Sequence, residues 1–258
     1  MTDNTKSDSP SVEKRHTVIY GYTHKELAKV LRHFEQQLPE FVKITFDNSN
    51  LVTRVTLTGV NDGVELLRFQ LNKCHATLNS LFGPEVVTNE EKTIPEVLGE
   101  LLAERELTVS VAESCTGGNI AHRITEVSGS SAYFLGSVVS YANHIKTAVL
   151  KVPHADIAAH GAVSREVSQS MARGVAELMG TDCAMSTTGI AGPGGGSKFK
   201  PVGTVWISVK YGDTVVSECQ HFPGSRRDVI ESATNHAMVM LISLLRNRYV
   251  PQDEVNDD

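Results

Sequence analysis

Cysteine is sparse in this 258-residue sequence: Cys74, Cys115, Cys183 and Cys219 form no C-x-x-C pair, which argues against a disulfide frame or a thiolate zinc site. Long apolar runs are missing too. The longest, over 237–245, is interrupted by Ser243 and falls far short of the roughly 20 residues that a membrane-spanning helix needs. The first 13 residues are polar, without the basic-then-apolar pattern of a secretory leader, so a cytoplasmic protein with reduced thiols is expected. Lysine and arginine number 24 against 30 acidic residues, a net charge of −6 with no basic cluster, which disfavours a phosphate-backbone surface for nucleic acid. Neither a G-x-x-x-x-G-K-[ST] loop nor a G-x-G-x-x-G fingerprint occurs, and the ten histidines show no H-x-x-x-H spacing. The expectation is small-molecule chemistry without a metal, a cofactor, a membrane or a nucleic-acid partner.

What is present reads as an α/β protein: a mixed β-sheet sandwiched by helices, preceded by a smaller α+β domain. Residues 1–16 and 249–258 are polar and are expected to be mobile tails. Over 17–88 the pattern predicts a short strand at 18–20 and a helix opened by the capping box Thr23-x-x-Glu26, with Leu27, Leu31 and Phe34 on one face. A hairpin over 42–58 follows, then a helix capped through Asp62 and Glu65, whose apolar stripe runs through Leu67, Leu71, Cys74, Leu78 and Leu81. The polar stretch 88–92 is the expected boundary. The second domain, over 93–248, opens with a helix carrying Pro95 in its first turn, continues to a strand at 107–112, and reaches the turn E-S-C-T-G-G at 113–118 before a helix from about Asn119. Strands at 137–141, 183–187, 205–209 and 216–222, a helix capped by Ser164 and a last helix opened by Ser225 complete it.

Three stretches carry chemistry. Ser114 to Gly118 joins a strand to a helix, where amide groups without intrahelical partners can face an anion, and where Ser114 is placed to attack. Its bland reading is that Ser114 and Thr116 only cap the helix and that Gly117 and Gly118 only serve the turn. Cys115 is a rival nucleophile, because a thiol at a helix N-terminus can be acidified. Tyr141, Asn143 and Lys146 follow a predicted strand, with His144 read as a loop residue. A lysine of depressed pKa can take a serine proton and return one to a leaving group, although an isolated lysine is ordinarily a solvated cation. The glycine-rich loop containing Gly189, Ala191 and Gly192 can cradle a phosphate or a ribose, and Arg226 can hold an anion or simply be surface charge.

As an ordered set, V-A-E-S-C-T-G-G at 111–118, S-Y-A-N-H-I-K at 140–146, H-G-A-V-S at 160–164, T-G-I-A-G-P at 188–193 and K-P-V-G-T-V-W at 200–206 resemble the C-terminal domain of CinA proteins, also found alone as nicotinamide-nucleotide amidase. The segment 17–87 resembles, more weakly, the small domain that precedes it in full-length members, and its element order is similar to KH domains, though without a G-x-x-G loop or a basic stripe. No counterpart of the family's large pyrophosphatase domain occurs in these residues. The resemblance implies metal-free hydrolysis of the carboxamide of nicotinamide mononucleotide in pyridine nucleotide salvage, by a homodimer. It implies Ser114 as nucleophile, Lys146 as its base, Tyr141 orienting the dyad, and amides of Cys115, Thr116 and Gly117 holding the oxyanion. Gly118, Asn143, Gly189, Ala191, Gly192 and Arg226 complete the implied substrate contacts. One departure concerns Arg226: the family's Gly-Asp-Arg stands here as Gly224-Ser225-Arg226, which removes an orienting partner and leaves a non-catalytic nucleotide-binding relative as the alternative.

Overall fold

The structure is a computed structural model that describes residues 10–249. The chain divides after Lys92 into two compact units. In the first, β1 (Ser11–Tyr20), α1 (His24–Glu35), β2 (Val42–Ser49), β3 (Val52–Asn61), α2 (Val64–Phe82) and β4 (Val86–Thr88) build an antiparallel sheet of order β2-β3-β1-β4. The β2–β3 hairpin turns through Asn50 and Leu51, both at positive φ (48° and 66°), the handedness that matches strand twist. Ile19, Leu27, Leu31, Phe34, Leu57, Leu71, Leu78 and Phe82 form the core between sheet and helices.

The expected tail over 1–16 is corrected from Ser11 onward, because β1 pairs with β3 along its whole length from Ser11↔Asn61 to Tyr20↔Val52. Its polar half is held without apolar side chains: Glu13 accepts from Arg68 of α2 at 2.9 Å, and Arg15 donates to Asn72 at 2.8 Å. The N-cap of α2 is Gly63 rather than Asp62, with the Gly63 amide donating to the Asn61 side chain at 2.8 Å. Phe82, not Leu81, closes the buried stripe of that helix; Leu81 is exposed. The expectation for 249–258 lies outside the described residues except at Tyr249, whose side chain bonds to Glu218.

The second unit contains α3 (Ile94–Glu104), β5 (Val109–Glu113), α4 (Asn119–Thr125), β6 (Phe134–Val139), α5 (Asn143–Leu150), α6 (His154–His160), α7 (Arg165–Met179), β7 (Cys183–Gly189), β8 (Thr204–Tyr211), β9 (Thr214–His221) and α8 (Arg226–Leu245). The sheet order is β6-β5-β7-β8-β9; β5 runs parallel to β6 and β7, and β7 to β9 alternate, which makes the sheet mixed. Both faces are covered, so β5 is buried along its full length and reads as a continuous run rather than an alternation. His144 lies within α5, correcting the expectation of a loop there. Among the described residues no helix is long and apolar enough to cross a membrane.

The topology sends the connections after β5 and β6 apart. From β5 the chain turns into α4, which packs with α3 and α8, whereas after β6 it turns into α5, which packs with α7. The carboxyl ends of two neighbouring parallel strands thus send their connections to different helical layers, and a crevice opens between such diverging loops. Close contact keeps the second layer in place: a Cβ on Gly174 of α7 would lie 1.9 Å from the Leu150 carbonyl oxygen at the end of α5.

Candidate active site

Ser114 is the first residue beyond β5, half-buried, with its amide donating to the Thr187 carbonyl of β7 at 3.0 Å. The chain reverses immediately: the Gly117 amide donates to Ser114 O at 3.2 Å, and Gly117 and Gly118 take φ of 63° and 103°, a region that glycine enters without steric cost. The amides at the start of α4 do face an anion, but it is the protein's own. Glu113, with no exposed surface, accepts from the amides of Gly118 (2.9 Å), Ile120 (3.1 Å) and Ala121 (3.0 Å), from Thr116 Oγ1 (2.7 Å) and from Ser137 Oγ (3.3 Å). The expectation that this helix end receives a substrate anion is therefore corrected, and Gly117 and Gly118 leave the set of free donors. The amides of Cys115 and Thr116 carry no hydrogen bond to another residue among the described residues.

A carboxylate only accepts, so Thr116 spends its single proton on Glu113 and must itself accept from Thr187 Oγ1, 2.7 Å away. The Thr116 side chain, 3% exposed, is thus fully used inside the turn. Cys115 is buried as well, and burial pushes its thiol up to about 12. A thiol held protonated in this way is a poor nucleophile.

Lys146 reaches the same point from α5, with 1% of its surface exposed. Its Nζ donates to the Ser140 carbonyl at 2.6 Å and lies 3.0 Å from Ser114 Oγ. Ser140, just beyond β6, is anchored in turn by its amide to Glu113 O at 2.8 Å. Removal from water lowers the lysine's proton affinity below the ordinary range, because the charged form loses most. In the neutral form one N–H goes to Ser140 and the lone pair is free to accept from the Ser114 hydroxyl. The pair can therefore generate an attacking oxygen, and among the described residues no carboxylate forms an ion pair with the Lys146 amine.

The remaining predicted residues gather on the outer side. Ser225 caps α8 in a reciprocal box with Asp228, whose Oδ2 accepts from the Ser225 amide at 2.8 Å and hydroxyl at 2.7 Å. Next in the chain, Arg226 donates to the Gly192 carbonyl at 2.9 Å and to the Tyr141 hydroxyl at 3.0 Å, so two groups orient it where the family's acid is missing. Tyr141 is 62% exposed, and its hydroxyl makes no hydrogen bond to Ser114 or Lys146 among the described residues. Asn143 is exposed in the first turn of α5, and Ala191 is buried behind the loop. Gly189 is demanded by packing: a Cβ there would meet Thr204 O at 2.6 Å. Gly192 takes φ 81°, and a Cβ there would meet the Val202 side chain at 2.5 Å. A cleft of about 620 Å³ is bordered by Thr116, Gly117, Gly118, His122, Arg226 and Ile230; Ser114 and Lys146 are not in its lining.

Glu113, Ser140 and Thr187 hold the site together without having been singled out by sequence reasoning. A usable signal existed for the first: one carboxylate ending an otherwise apolar, fully buried strand has to be paired or hydrogen-bonded.

Residues 91–245 match the family model described as the CinA C-terminal domain. A putative competence-damage inducible protein of Moorella thermoacetica is 44% identical over 170 residues, 66% of this chain and 41% of that protein. A CinA-like protein of Flavobacterium psychrophilum is 37% identical over 248 residues, 95% of this chain and 59% of its own length. This chain thus spans about two fifths to three fifths of those curated relatives. Among solved structures, a competence/damage inducible protein from Agrobacterium tumefaciens aligns at 36% identity and a TM-score of 0.56 over 61% of this chain and 99% of that one. A CinA superfamily protein from Klebsiella pneumoniae aligns at 31% identity and a TM-score of 0.58 over 60% and 99%.

Proposed function

Since this chain belongs to the CinA C-terminal domain family, we propose that it hydrolyses the carboxamide of nicotinamide mononucleotide to nicotinate mononucleotide and ammonia. The observation that carries the reading is the contact of a buried amine with a serine hydroxyl, Lys146 Nζ to Ser114 Oγ at 3.0 Å. Lys146 takes the Ser114 proton as Oγ adds to the amide carbon; the pyridinium ring withdraws electrons from that carbon, which makes an amide attackable by a hydroxyl. The resulting oxyanion sits against the amides of Cys115 and Thr116, a task for preorganised donors. When the C–N bond breaks, the lysine returns its proton to the nitrogen and ammonia leaves. Water then adds to the acyl-serine ester, with Lys146 again as base, and restores Ser114 with release of the carboxylate product.

Arg226 supplies the cation for the nucleotide's phosphate, oriented by Gly192 and Tyr141. The proposal extends to a cytoplasmic homodimer serving pyridine nucleotide salvage. Ammonia release from nicotinamide mononucleotide tests it: wild-type protein should turn over, and a folded Ser114→Ala variant should not. Equal rates for the two reject the reading, and calorimetric binding without turnover in the wild type replaces it with the nucleotide-binding relative.

A further inference from the structure

Glu113 is the one carboxylate without exposed surface in the second unit's sheet, and no step of the proposed reaction uses it. It is tied to both halves of the reactive pair, directly to the turn of Ser114 and through Ser140 to Lys146. Through Oε2 it receives Thr116, Gly118 and Ile120, the groups that fold the chain back directly after Ser114. Through Oε1 it receives Ala121 of α4 and Ser137 of β6. Its own carbonyl receives the amide of Ser140, whose carbonyl in turn receives Lys146. One residue therefore fixes the turn that aims the serine and the strand end that holds the lysine.

The acceptor capacity of the carboxyl group is used locally. Three backbone amides at the start of α4 and one hydroxyl lie within 3.1 Å of its oxygens. Two consequences follow from donor arithmetic. A glutamine cannot replace it, since whichever way the amide is turned its NH2 meets a backbone N–H: Ala121 on one side, Gly118 and Ile120 on the other. And all five of these bonds go to the turn and to β6, none of them to Lys146.

We infer that Glu113 is a positioning residue for the Ser114–Lys146 pair, acting through the α4 turn and the β6 end and not by contact with substrate. The inference rests on the amidase reading for what the pair does, but its test does not depend on the substrate. A fluorophosphonate reagent that phosphonylates an activated serine reports Ser114 directly. Its oxygen displaces the reagent's fluoride, and the serine proton passes to Lys146 and from there to the departing fluoride. The pseudo-first-order labelling rate is followed from pH 6 to 10 for wild type, Glu113→Gln and Thr116→Val, with the labelled fraction counted by mass. Because misplacement by about 1 Å costs on the order of a hundredfold, the plateau rate of Glu113→Gln should fall about that much while the pH midpoint stays in place. Thr116→Val, which removes one of the five bonds and spares the carboxylate, should lose about tenfold and keeps the test decisive if the first variant fails to fold.

Unchanged plateau rates overturn the inference. So does a loss confined to the labelled fraction, which is plain destabilisation, or a loss accounted for by a shifted midpoint, which is an electrostatic effect on Lys146. A wild-type protein that resists labelling also overturns it. A wild type that labels normally but releases no ammonia from nicotinamide mononucleotide leaves the inference standing and fails the amidase reading instead.

Discussion

The inner and outer sides of the candidate site are built differently. On the inner side, Ser114 and Lys146 sit in a mesh of buried groups, Glu113, Thr116, Ser140 and Thr187, in which nearly every donor is matched. On the outer side, Arg226, Tyr141 and Gly192 meet through two hydrogen bonds at the surface. Buried hydrogen bonds to a charge are strong and costly to break, whereas exposed ones contribute little and rearrange readily. The difference teaches a division of labour: in the proposed reaction the part that holds a reacting distance is buried, and the part assigned to nucleotide binding is exposed.

Four substitutions or treatments press on that contrast, in decreasing order of effect. Lys146→Met removes the base from the inner side and should lower kcat/KM for ammonia release by at least about a thousandfold. In the wild type kcat/KM should rise with pH, because the working form is the deprotonated one, with a midpoint below the ordinary lysine value of about 10.4. Stability carries the same sign: a lysine whose folded pKa is lowered penalises the fold at low pH and ceases to do so as pH rises through the folded and then the unfolded value. Melting curves should therefore show the methionine variant at least as stable as wild type at neutral pH, with the gap narrowing toward pH 10; a large loss of stability would mean that the amine is a structural staple.

Arg226→Gln acts on the outer side and should raise KM by about thirtyfold with kcat within a few-fold, the pattern of lost ground-state binding. A fall in kcat alone would move Arg226 inward. Tyr141→Phe removes only one bond to that guanidinium, so steady-state kinetics should show about a threefold change, mostly in KM. A kcat loss near a hundredfold would give the phenol a proton-transfer role. Smallest of all, treatment of the native protein with iodoacetamide at pH 8 should leave turnover unchanged and Cys115 unalkylated by mass, since a buried thiol near 12 exposes almost no thiolate.

The pairing of Ser114 with Lys146 was legible in the sequence through the family resemblance of two short motifs, one just after β5 and one running from the end of β6 into α5. The antiparallel and parallel strands were legible from alternation and from apolar runs. What escaped has a physical reason in each case. The Arg226–Tyr141 bond spans 85 positions and depends on a surface approach that no local pattern encodes. The polar half of β1 gains its order from a backbone ladder and from Arg68 and Asn72, not from apolar side chains, so composition described it as a tail. Gly189 looked like a ligand cradle because a bare backbone serves close approach of any neighbour, and here the neighbour is β8. The amides of α4 looked available because the group that takes them lies upstream, five to eight positions away across the turn.

The near-complete enclosure of Lys146 has a kinetic corollary for the proposed reaction. An amine screened from bulk solvent trades its proton with the reacting molecules, so the two halves of a cycle are interlocked: departing ammonia must carry off what the serine surrendered before water can be deprotonated in its turn. Hydroxylamine offered in place of water should intercept the acylated protein and give the hydroxamate, which reads out the covalent intermediate of the proposed reaction directly.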